Sequence, residues 1–229
     1  MKYFLTILFI WVFALAHAQE TNQFDSNGKR HGKWMKFYEG TDEIRYRGTF
    51  EHGKEIGTFE FYKFPEERKP NSKSFLFATK TYTKNSDLIE IAYFTEKGDL
   101  VSNGQMKGKD RVGKWVYFHP GTDKILMTEL YENGKLNGFQ TTFFLNGNVM
   151  KKSFYKNGKL EGKEFIYTEN GILVKQFTYE NNELNGIVNY YDAEGNLTTT
   201  GFYKNNRKDG EWKTYENGKV VKTEIFPLH

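Results

Sequence analysis

Residues 131–138 read YENGKLNG, 155–162 read YKNGKLEG, 179–186 read YENNELNG and 203–210 read YKNNRKDG. The last glycines are Gly138, Gly162, Gly186 and Gly210, so the step is 162−138 = 186−162 = 210−186 = 24. Stepping back 25 reaches Gly113, and a further pair, Gly32 and Gly57, is also 25 apart. From Gly57 to Gly113 is 56, which leaves room for one more unit near residues 84–88, where KNSDL lacks the glycine. A fixed period of this size marks a repeat array, here of about eight units, one of them degenerate.

Each unit places residue types at fixed distances from its marker glycine. Seven before it stands Phe50, Met106, Tyr131, Tyr155, Tyr179 or Tyr203. Thirteen before it stands an aliphatic residue, such as Ile44, Leu100, Val149 or Leu197. Five after it stands an aromatic, as at Phe37, Tyr62, Phe118, Tyr167 and Tyr215. Between these lie Thr, Val, Ile and alternating Lys or Glu, the composition of a strand. Positions an even number apart in a strand share a face. Asn-Gly pairs at 133–134, 146–147, 157–158, 170–171 and 217–218 separate the runs. Asn and Gly tolerate the positive φ that tight hairpins require. The predicted fold is all-β: an elongated, single-layer antiparallel meander of β-hairpins with a period of about 24. Roughly sixteen strands at about 4.8 Å each would span about 75 Å. No hairpin buries its aromatic side alone, so neighbours supply the core.

The Tyr-x-Asn-Gly-Lys-x-x-Gly phrase and the Gly32-Lys33-Trp34, Gly113-Lys114-Trp115 and Gly210-Glu211-Trp212 openings carry a resemblance. Over about residues 24–226 the chain resembles the bacterial variant of the MORN repeat. The resemblance implies a twisted β-hairpin sheet used as an interaction surface. Some bacterial proteins of this kind carry antitoxin labels. The period breaks at about 63–90, where FPEERKPNSKSF reads as a loop insertion ahead of the degenerate unit.

The N-terminus has a different character. Met1-Lys2 precede an apolar run to Ala16, followed by His17, Ala18 and Gln19. This pattern predicts a signal peptide, 1–18, cleaved after Ala18, and an array over 19–229. The run is shorter than the roughly 20 residues of a spanning helix. The expected location is exported: periplasmic, cell-surface or secreted. The chain has no cysteine, which excludes disulfides and a lipoprotein anchor. Net charge is +4, with both signs interleaved, so no single-sign field points to nucleic acid.

Motifs for chemistry are sparse. Residues 108–115, GKDRVGKW, approach a phosphate-binding loop, but Trp115 stands where Ser or Thr must hold Mg²⁺. The histidines, His17, His31, His52, His119 and His229, form no H-x-H or H-E-x-x-H pair. A metal site needs three or four convergent ligands, so none is expected. There is no G-x-S-x-G elbow, and the carboxylates fall in turns and on exposed strand positions. The expectation is no catalytic, metal or cofactor residue.

The position two after the marker varies most: Trp34, Phe59, Trp115, Gln140, Glu164, Val188 and Trp212. Its parity is opposite to that of the aromatic at +5. An aromatic row on a long sheet suits docking of a protein or a glycan. The same row equally suits packing against cross-strand neighbours. Trp34, Phe59, Trp115, Gln140, Glu164 and Trp212 are therefore the candidate binding surface. The expected role is a non-catalytic scaffold for an unknown protein or envelope component. Binding of envelope glycan or lipid headgroups, or neutralisation of a toxin, are the alternatives.

Overall fold

A computed structural model describes residues 21–67 and 71–228. The predicted signal peptide, 1–18, lies outside the described residues. The described chain holds no helix; its strand segments form one antiparallel sheet in which each strand pairs with its sequence neighbours. It is the elongated, open hairpin meander that the period predicts. One end is the short strand Gln23–Phe24 against Arg30–Phe37, and the other is the strand Lys219–Phe226. A loop follows Lys63, and the chain rejoins the sheet at Phe75. The degenerate unit then makes an ordinary hairpin, Phe75–Tyr82 with Leu88–Phe94, in unbroken register.

The marker glycines are bulges, which explains why a glycine recurs there. Gly57, Gly113, Gly162 and Gly210 have φ of +64, +63, +71 and +63°. The residue opposite skips a partner, as where Asn103 pairs with Val116 but Gln105 pairs with Val112. A bulge residue in this region is nearly cost-free only for glycine. The degenerate hairpin has no bulge and no glycine.

Along one edge, the turns at 52–53, 133–134, 157–158, 181–182 and 205–206 use positive φ at both central residues. Asn133-Gly134 has φ of +50 and +76°, and Asn181-Asn182 has +53 and +75°. These five turns dock on the preceding hairpin by the same backbone bond. Gly53 donates to Arg30 O at 2.8 Å, Gly134 to Arg111 O at 3.2 Å, and Gly158 to Leu136 O at 2.7 Å. Asn182 and Asn206 repeat it at 3.0 Å to Leu160 and Leu184. Where Asn replaces Gly, its side chain adds a bond: Asn182 Oδ1 accepts from Leu160 N at 2.7 Å, and Asn206 Oδ1 from Leu184 N at 2.8 Å.

Strand alternation then divides the side chains between two faces. The buried residues, including Phe50, Phe59, Ile91, Trp115, Glu129, Ser153, Glu164, Val188 and Trp212, all project to one of them, the core face. A row of cross-strand partners runs through this face from end to end. It links Trp34 to Gly48, Phe59 to Lys80, Lys80 to Ile91 and Ile91 to Gly104. It continues from Trp115 to Glu129, Gln140 to Ser153, Glu164 to Phe177, Val188 to Gly201 and Trp212 to Glu224. We call this row the spine.

Within each hairpin, the two spine residues are 11 apart in sequence, as 115−104 = 11 and 91−80 = 11. They are also complementary. Where one is a large ring, the other is glycine: Gly48 lies under Phe59, Gly104 under Trp115 and Gly201 under Trp212. A Cβ built on these glycines would come within 2.4, 2.4 and 2.2 Å of ring atoms. All other glycines have positive φ; these three alone are glycine for space. Gly104→Ala should therefore lower stability by about 1–3 kcal/mol through overpacking. Trp115→Leu in the same chain should recover part of that loss. Thermal unfolding of the single and double variants measures the coupling, and strictly additive losses would refute the pairing.

Candidate functional site

The spine contains every residue of the candidate surface, so its geometry decides what that surface offers. Trp115 is 0% exposed and Phe59 is 2% exposed. Trp212 and Glu164 are buried as well, while Trp34 and Gln140 are half-buried. The sequence treats them as one row, and the structure places them on one face. Burial removes Phe59, Trp115, Glu164 and Trp212 from direct contact with a partner. These side chains fill the sheet's own core.

The indole faces are occupied too. Arg111 lies 4.2 Å over Trp115, Lys208 4.2 Å over Trp212 and Arg30 4.9 Å over Trp34. Each cation stands two residues before a marker glycine. For Trp115 and Trp212 the opposite ring face rests on glycine backbone, and the ring N–H donates to Gln105 O at 3.1 Å and Phe202 O at 3.2 Å. Tyr131 and Tyr203 meet these indoles edge-on at 6.4 and 5.2 Å. A sugar ring has no free face on which to stack.

The middle of the spine is polar. Glu129 Oε2 accepts from Tyr117 Oη at 2.7 Å and Tyr131 Oη at 2.9 Å, and Oε1 accepts from Gln140 Nε2 at 2.7 Å. Arg111 Nη1 donates to the same two phenols at 2.7 and 3.2 Å. Burial, and then the bond to Glu129, pushes the Tyr117 phenol well above its ordinary range. The next hairpin substitutes a smaller unit, in which Ser153 Oγ donates to Glu164 Oε2 at 2.6 Å. Among the described residues, no buried side-chain N or O lacks a partner. These carboxylates are bonded into the core, which is what buried charge requires. Ser153→Ala should leave Glu164 short of its donor and cost about 1–3 kcal/mol. Thermal unfolding reads it, and an unchanged midpoint would show that Glu164 is satisfied otherwise.

The opposite, open face is different. There Leu130, Phe139, Ile187 and Phe202 are 40, 44, 55 and 38% exposed. Phe139 pairs with Phe154 and Ile187 with Phe202, with Lys163 and Thr178 between them. Lys152 Nζ caps Phe139 at 4.2 Å. The +5 aromatic also turns this way, as parity predicts. Tyr62 lies with Arg47 and Glu60, and burial, then its bond to Glu60, raises its phenol to about 12. Sequence parity located this side, but nothing in the repeat phrase marked Phe139, Ile187 or Phe202.

The loop after Lys63 borders an open cleft of about 530 Å³ lined by Lys63, Glu66, Glu67, Phe75, Phe94 and Glu96 among others. At its base, Glu43 Oε2 accepts from Ser74 N at 2.8 Å and Oγ at 2.9 Å, and Lys73 pairs with Oε1 at 3.0 Å. The Ser74 backbone bond, with Lys73, lowers the Glu43 pKa to about 2. A depressed carboxylate contributes stability above its unfolded pKa and loses it as pH falls towards the folded one. The midpoint gap between wild type and Glu43→Gln should be full above about pH 5 and shrink towards pH 2. A constant gap would contradict this.

One donor set escapes sequence spacing. Asp25, His31 and His52 bring their ligand atoms within 4.8 Å of one another at the N-terminal end of the turn edge. They stand 6 and 21 residues apart, and only the register of successive hairpins joins them. No family model matches the chain, and no curated protein matches it.

Proposed function

We propose that the chain is a non-catalytic, extracytoplasmic scaffold whose open face docks another protein. The carrying observation is an asymmetry between faces. The core face is closed by its own rings, cations and bonded carboxylates. The open face carries large apolar side chains that are more than one-third exposed, among them Leu130, Phe139, Ile187 and Phe202; Ile187 faces Phe202 across strands and Phe139 faces Phe154. Contiguous exposed apolar surface on a rigid frame is a common mark of an interaction site. Interleaved Lys and Thr around such side chains, as at Lys163 and Thr178, provide the polar rim of an interface.

The extracytoplasmic setting rests on the leader read at residues 1–18, and the MORN-type reading rests on the repeat phrase. Both fit an interaction surface. Binding of envelope glycan has less support, because the indole faces of the core row are covered by Arg30, Arg111 and Lys208.

The test compares residues 19–229 with an open-face variant, Phe139→Ser with Ile187→Ser and Phe202→Ser, in affinity capture from envelope extract. Wild type should retain one stoichiometric protein that the variant loses, with little change in the thermal midpoint of the variant itself. Equal capture by both would overturn the open-face assignment. Retention on polysaccharide with no protein would overturn the protein-docking reading.

A further inference from the structure

We propose that Asp25, His31 and His52 form a binding site for a divalent late first-row transition cation, of which Zn²⁺ is the probe. The site pins the first hairpin turns together.

The donor chemistry comes first. Two imidazoles and one carboxylate suit Zn²⁺, Ni²⁺ or Cu²⁺ far better than Mg²⁺ or Ca²⁺, which take oxygen. Three protein ligands leave a fourth position for water. The three ligand atoms lie within 4.8 Å of one another. A tetrahedral site with bonds of about 2.0–2.1 Å sets its donors roughly 3.3 Å apart. Asp25 Oδ2 and His52 Nδ1 are closer than that, at 2.7 Å, and His31 is within 4.8 Å of both. Rotation of two exposed imidazoles spans the difference without moving the backbone.

The frame is already rigid. Asp25 Oδ1 accepts from Asn27 N and Lys29 N, both at 2.9 Å, so Oδ2 is held towards His52. The His31 and His52 rings are 4.9 Å apart, and Gly53 N binds Arg30 O at 2.8 Å to lock the turn.

The repeat itself isolates the anomaly. His52 has φ +49° at the turn position that Asn133, Asn157, Asn181 and Asn205 hold in other units. His31 stands just before its marker glycine, where other units have Asn137, Glu161 and Asn185. His52 N approaches His31 Nδ1 at 3.5 Å, and the equivalent contacts are Asn157 N to Asn137 Oδ1 at 3.3 Å and Asn181 N to Glu161 Oε2 at 3.0 Å. A side-chain contact that amides and a carboxylate satisfy elsewhere is made here by two imidazoles, beside a fixed carboxylate. For a β-turn at positive φ, Asn is the better residue. Two histidines at these linked positions keep the turn contact and in addition supply ligand nitrogens beside Asp25.

The folded control follows from the same comparison. His31→Asn with His52→Asn recreates the Asn137–Asn157 pair and should fold as wild type does. Calorimetric titration of residues 19–229, without a polyhistidine tag, should give one saturable Zn²⁺ site and a higher thermal midpoint. The double variant should bind more weakly by more than the roughly 10–100-fold that losing a supporting partner costs. Asp25→Asn keeps an oxygen for the Asn27 and Lys29 bonds and should weaken Zn²⁺ as well. Mg²⁺ should produce no shift. No saturable Zn²⁺ binding, or equal binding by the double variant, would overturn the site.

Discussion

The fold depends on how two residues 11 apart share one place in a hairpin. A single sheet has no second layer to press against, so its core is only as thick as its side chains. Each cross-strand contact must then fill its space without help from above. Gly104 with Trp115, Gly201 with Trp212 and Gly48 with Phe59 do this by giving the whole volume to one partner. Glu129 with Gln140 and Ser153 with Glu164 do it by hydrogen bonding. Rings at Phe50, Tyr131 and Tyr203, and cations at Arg111 and Lys208, then roof the row. That is how an indole reaches complete burial on a one-layer sheet.

The marker glycines and the turns serve this row. A bulge at Gly113 sets three residues against one and aims Trp115 across Gly104. Five turns, at Gly53, Gly134, Gly158, Asn182 and Asn206, present one N–H each to the preceding hairpin, and that bond holds successive units in the same register. Register matters because a slip of one residue would send the entire spine to the other face. Local turn chemistry and the long row of packing therefore specify the same pairing, which is the consistency a foldable sequence needs.

Much of this was legible in the sequence. The 24-residue step, the Asn-Gly turns and the strand composition are local properties, and local properties survive in a linear reading. The roles of Gly48, Gly104 and Gly201 were not legible, because they carry no turn signal and their reason lies on the adjacent strand. The candidate surface had the same weakness. Parity puts Trp34, Phe59, Trp115, Gln140, Glu164 and Trp212 on one face, but parity cannot tell a covered face from a bare one. The Arg and Lys that cover the indoles are four residues upstream across a bulge, so they read as ordinary solvated charges. The Asp25–His31–His52 cluster was hidden for a related reason: its members belong to two successive units.

Variation along the +2 row sets it apart in the sequence. The structure gives it a nearer cause. When the residue at that place changes from Trp115 to Gln140 to Glu164 to Val188, its mate changes from Gly104 to Glu129 to Ser153 to Phe177. Large meets small, amide meets carboxylate, carboxylate meets hydroxyl, and aliphatic meets ring. Variation that is compensated 11 residues away is accounted for inside the sheet. The exposed Phe139, Ile187 and Phe202 keep 44, 55 and 38% of their surface open although Phe139 meets Phe154 and Lys152 and Ile187 meets Phe202. Their apolar surface is used only in part by neighbours in the sheet, which distinguishes this face from the covered core row built from the same repeat.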